Sequence, residues 1–127
     1  MNDSLKRAVL IQLGMDPDEL TEEDRGTLQD ICSYGIDGGF GGFIYYADTC
    51  EFYDNNAQDI VALCREFADE FGQGISELIA SFNCLDLTVA EVDAFLICGD
   101  DENEDQIKNA LAWFAAEEVA RTYMEEN

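Results

Sequence analysis

Residues 102–125 read ENEDQIKNALAWFAAEEVARTYME, and this stretch decides the fold. Ile107, Ala110, Leu111, Trp113, Phe114, Ala115, Ala116, Val119 and Ala120 recur at helical spacing, and between Ala110 and Ala116 they run almost all the way round. A helix that is apolar on every side must be buried, so the spacing predicts a central helix over 102–125 with other helices packed around it. The acids at its start favour the positive end of the helix dipole. Glu117, Glu118 and Arg121 continue the face set by Ile107, Leu111 and Phe114, at a spacing that suits a partly buried ion pair rather than a catalytic glutamate.

The rest of the chain supplies the surrounding helices. Asp3 or Ser4 can cap a first helix with an apolar stripe of Leu5, Ala8, Val9, Ile11, Gln12 and Leu13, ended by Gly14. Pro17 suits a first helical position, and Thr21-Glu22-Glu23-Asp24 caps a helix to about Ser33 with Leu28, Ile31 and Cys32 inside. A short turn from Asp48 or Thr49 to Tyr53 leads to Asn55 or Asn56, either able to cap a helix on Ile60, Leu63, Cys64, Phe67 and Phe71 that closes at Gly72. A short helix over Ile75–Phe82 follows, and Thr88-Val89-Ala90-Glu91 is a capping box for another to about Cys98. The expected fold is mainly α, a single acidic helical domain over 1–127 with five or six helices. Phe43–Tyr46 leaves room for a short β segment near 43–47.

Charge bounds the function. The 127 residues carry 29 Asp and Glu against 6 Lys and Arg, with no His, for a net charge of −23. With 47% hydrophobic residues the chain can still build a core, unlike a disordered acidic tail. The acid is spread throughout: residues 1–30 hold 8 acids and 3 bases, 31–98 hold 12 and 1, and 99–127 hold 9 and 2. Such a field repels nucleic acid and anionic lipid and attracts basic surfaces. No apolar run is long enough to span a membrane and no basic segment leads into an N-terminal apolar run, so a cytoplasmic location is expected.

The missing and misplaced residues exclude most chemistry. Without histidine there is no Ser-His-Asp or Cys-His arrangement and no His-ligated metal. Cys32, Cys50, Cys64, Cys84 and Cys98 are odd in number and never form CxxC, which argues against zinc and a disulfide framework. Cys64 and Cys98, beside Leu63 and Ile97, read as small buried thiols. The glycine-rich run Gly35–Gly42 lacks both the Walker A ending and the dinucleotide fingerprint, and Asp37 would repel phosphate, so it reads as a flexible turn. Counting an EF-hand from Asp100 puts Asp105 and Leu111 where Gly and Glu are required. No catalytic residue, metal site or cofactor is expected, and the chain is read as not an enzyme.

What remains is recognition of a basic protein. Duplex DNA carries one charge per about 1.7 Å of axis, so 23 charges span roughly 40 Å. A chain of this length folds to a diameter of roughly 36 Å, and the two densities match. Size and charge resemble those of small acidic proteins of phages and mobile elements, the antirestriction and anti-CRISPR inhibitors that imitate DNA. The segments Asn109–Ala120 and Gly42–Thr49 also look like uncharacterised phage-encoded proteins. That resemblance implies an inhibitor of a host defence nuclease or CRISPR effector, acting in the bacterial cytoplasm. Its phosphate-mimicking residues would be Asp16, Asp18, Glu19, Glu22, Glu23 and Asp24, then Asp100, Asp101, Glu102, Glu104 and Asp105, with Asp59, Glu66, Asp69 and Glu70 as a third row. The alternative is an adaptor that binds protein through the aromatic segment 40–53, with Tyr45, Tyr46 and Tyr53 as anchors.

Overall fold

The computed structural model describes residues 3–36, 39–82, 86–99 and 102–126. Six α-helices follow in order: α1 (Asp3–Gln12), α2 (Glu22–Tyr34), α3 (Tyr46–Glu70), α4 (Ile75–Phe82), α5 (Val89–Cys98) and α6 (Glu104–Glu126). No strand occurs among the described residues. The predicted central helix is α6, which packs against all five others. Ile107, Ala110, Leu111, Ala112, Ala115, Ala116, Val119 and Ala120 are wholly buried along it. Small residues on one long helix let the five neighbours approach its backbone closely, which is why alanines rather than leucines dominate the middle of the core.

Local chemistry fixes the helix starts. Thr21 accepts a bond from the Asp24 N–H at 3.0 Å, while the Asp24 carboxylate accepts from the Thr21 N–H at 3.1 Å. Thr88 and Glu91 repeat this reciprocal pair at the start of α5. The Asp16–Leu20 segment is a turn, not a helix led by Pro17; the Asp16 carboxylate caps it by accepting from the Asp18 N–H at 2.9 Å.

Several expectations are corrected. Residues 43–47 form no strand: a 3-10 turn at Gly41–Phe43 leads straight into α3. α3 joins two helical stretches across a kink at Asn56, whose φ of −131° leaves the helical region, so the expected break at Asn55 or Asn56 is there; the difference is that the first stretch begins at Tyr46, ahead of Asp48. The Asn56 side chain caps nothing; it donates back to the Phe52 carbonyl at 2.9 Å. On α1 the inner face is Leu5, Val9 and Leu10, while Ile11 is 60% exposed. Phe71 is exposed against Phe67, and Cys98 lies on the surface at the end of α5, whereas Cys64 is buried as expected.

The end of the glycine-rich run, Gly41 and Gly42, is a close approach of backbones, while Asp37 and Gly38 lie outside the described residues. Gly41 takes φ +51°, and a Cβ there would lie 2.7 Å from Leu13 Cα. Next to it, the Gln12 amide donates to the Gly42 carbonyl at 2.9 Å. The connection is thereby clamped on the end of α1, and Trp113 Nε1 from α6 donates to the Phe43 carbonyl at 3.2 Å on the other side.

Candidate acidic interface

The expected acid rows divide once they are folded. In the first, Asp16 caps its turn, Asp18 binds Arg7 at 2.9 Å, and Asp24 closes the α2 capping box, while Glu19, Glu22 and Glu23 stay exposed. The hydrogen bond and charge of Arg7 hold the Asp18 carboxyl below its ordinary value, and Arg7 is raised in return. Half of this row therefore serves the fold.

In the second row, Asp100 and Asp101 lie outside the described residues. Glu102 and Asp105 are exposed, and Glu104 is half-buried because Lys108 draws it in. Lys108 Nζ bridges Asp54 at 2.8 Å and Glu104 at 3.1 Å, tying α3 to α6. The hydrogen bond that Lys108 donates to Asp54, then that to Glu104, raise its ammonium well above its ordinary value, so this cation stays charged. Asp105 faces Cys50, whose thiol is pushed up first by burial and then by the Asp105 charge. That shift makes Cys50 a poor nucleophile.

In the third row, Glu66 and Glu70 share a shallow cleft of about 240 Å³ with Leu63, Phe67, Thr122 and Glu118 of α6. Asp69 is exposed and Asp59 half-buried, and neither lines it. Glu118 is paired with Arg121, the ion pair that the spacing suggested. Its neighbour Glu117 turns the other way, accepting from the Ile36 N–H at 2.9 Å.

The aromatic anchors also separate. Tyr53 is 7% exposed and packs its ring 6.0 Å from Phe95, so it belongs to the core; burial raises its phenol accordingly. Tyr45 is 69% exposed and Tyr46 is 41% exposed, the latter leaning on Trp113. Ile44 is half exposed beside them.

Two of the acids outside the three rows stand at a cleft of their own. Asp48 and Glu51 stand one turn apart on α3 and line a cleft of about 400 Å³ against Ala8, Ile11 and Gln12 of α1. A helical turn begun at Asp48 already sets Asp48 and Glu51 on one face, but that they border a cleft with α1 follows only from the packing of the two helices. Among the described residues no group of three or more Cys, Asp or Glu is arranged to hold a metal ion, and no helix is long and apolar enough to cross a membrane.

Residues 2–127 match the model of a family described as a domain of unknown function, DUF7222. No curated protein and no solved structure matches the chain.

Proposed function

We propose that this chain, which belongs to the DUF7222 family, is a non-enzymatic inhibitor that occupies the nucleic-acid channel of a basic host protein, a restriction enzyme or CRISPR effector. Its carboxylates take the places of phosphates. The observation that carries this reading is the combination of a net charge of −23 with a well-formed apolar core, which leaves the acids on the outside of a body about as wide as the duplex its charge would span. Among the described residues, Asp16, Asp18, Glu19, Glu22, Glu23, Glu66, Asp69, Glu70, Glu102 and Asp105 are the exposed members of the three rows, Asp16 and Asp18 being also bonded within the fold. Repulsion among so many like charges opposes folding, and capture of a basic surface offsets it.

Electrostatic steering would speed encounter, and charge-assisted bonds to Lys and Arg would hold the complex. Binding to a purified target should then fall steeply with added salt and be abolished by excess duplex DNA. Binding insensitive to salt, or unaffected by DNA, contradicts the reading.

A second reading is favoured by one observation: Ile44 and Tyr45 are exposed although their neighbours Phe43 and Phe52 are buried. Under it the chain is a protein-binding adaptor that uses the 40–53 segment, and its acidity serves solubility. Substituting Ile44 and Tyr45 would then weaken binding more than reversing charge at Glu22 and Glu23.

A further inference from the structure

The cleft between α1 and the first half of α3 differs from the open acid rows in having an apolar floor, Ala8, Ile11 and Phe52, under a carboxylate rim, Asp48 and Glu51. No Lys or Arg is among the described residues that line it, whereas Arg7, Lys108 and Arg121 are each bound to acids elsewhere. Ile11 is exposed on a helix whose other large apolar residues Leu5, Val9 and Leu10 are buried, so its wall of the cleft is a hydrophobic surface without a cover. Gln12 lines the same wall and holds the Gly42 carbonyl, which brings the exposed Ile44 and Tyr45 two and three residues from it. Apolar and acidic surface thus meet at one place.

We infer that this cleft receives an arginine side chain from a basic, partly apolar segment of the target protein. The guanidinium fork bonds to the Asp48 and Glu51 carboxylates, and its methylene stem lies on Ile11 and Phe52. An apolar neighbour of that arginine covers Ile44 and Tyr45. Phosphate and other anions are repelled by the rim, and two carboxylates are too few to cage a hard divalent cation. This assignment rests on the reading that the partner is basic, and moves the specific contact from the dense acid runs to a site that combines shape with charge.

The test is a titration of the ¹⁵N-labelled full chain with N-acetyl-leucyl-arginine amide, and with the same compound carrying citrulline, a neutral isostere, in place of arginine. The arginine compound should give saturable amide shifts at Ile11, Gln12, Glu51, Phe52 and Asn55, with Glu22, Glu23, Glu66 and Glu70 unmoved. Citrulline, or the exposed double variant Asp48→Asn with Glu51→Gln, should weaken binding about tenfold or more, as expected for one charge-assisted pair. Ile11→Ser should weaken it without changing its salt dependence. Shifts spread evenly over all acid rows, equal binding of citrulline, or no saturable shift in the cleft each overturn the assignment. Displacement of a purified target by duplex DNA is measured separately. If it holds while the cleft fails, mimicry stands and the arginine site falls; the reverse pattern separates them the other way.

Discussion

The Ile36 N–H donates to Glu117 Oε1 at 2.9 Å, joining residues 81 positions apart. Ile36 is fully buried, just past the end of α2, so its N–H has no water to turn to. The carboxylate that meets it comes from the central helix. This bond and the Gln12–Gly42 bond fasten the glycine-rich connection from both sides, and α3 starts in the right direction as a result.

Glu117→Ala should therefore destabilise the fold by about 1–3 kcal/mol, the cost of leaving a buried N–H unmet. Glu117→Gln, which keeps an acceptor oxygen, should recover much of that. Denaturant midpoints of the two variants at unchanged m-value check it.

Gly41→Ala should be as damaging as a core truncation. The new Cβ meets the Leu13 backbone, which cannot swing aside, and φ +51° disfavours any side chain. A loss of about 1–3 kcal/mol is expected, against a gain of about 0.4–1 kcal/mol for Gly26→Ala on the exposed face of α2, where nothing lies within 4 Å. Thermal melts of the pair measure the contrast.

Cys64 ties stability to alkaline pH. Burial pushes its thiol up to about 12, so the folded state keeps the proton while the unfolded chain loses it near its ordinary value of 9.0. The folded pKa is the raised one, so this contribution is intact below about 9 and is lost as pH rises towards about 12, with a slope of about 1.4 kcal/mol per pH unit. Cys64→Ala should flatten that fall. In the native protein at pH 8 a thiol reagent should label the exposed Cys98 rapidly and Cys64 only on unfolding.

Lys108→Met keeps the stem and removes the cation between Asp54 and Glu104. Stability should drop by about 1 kcal/mol at low salt, and by less at high salt, where the exposed carboxylates are screened. The wild-type chain should itself melt higher as salt is added, because its −23 charge opposes compaction. A melting temperature that falls with salt would show that the ion pairs outweigh the repulsion.

The sequence made the helices legible wherever local chemistry and periodicity agree. Thr21 and Thr88 announced their caps, and the unbroken apolar run from Ala110 to Ala116 named the central helix. Competition between nearby apolar residues was not legible. Leu10 and Ile11 are equally able to face inward, and the direction in which α1 meets α3 chooses Leu10. Tyr53 reads as a possible anchor until Phe95, far away in sequence, covers it. The aromatic run 43–46 has strand propensity, but a lone strand has no partner here, and Thr49 bonds the Tyr45 carbonyl at 3.0 Å to extend α3 backwards instead. Asp48 and Glu51 belong to no dense acid run, and only the packing of α1 against α3 gathers them at one cleft. The acid runs themselves were visible, but not that Asp16, Asp18 and Asp24 are engaged within the fold.

The most direct measurement of mimicry is retention of bacterial nucleic-acid-binding proteins by the immobilised chain, challenged in parallel with duplex DNA and with polyglutamate of equal total charge. Mimicry predicts that a retained, purified target is released by duplex DNA at far lower charge concentration than by polyglutamate. Equal release by both polymers would reduce the interaction to ion exchange, and a target that neither polymer displaces would contradict occupation of a nucleic-acid channel.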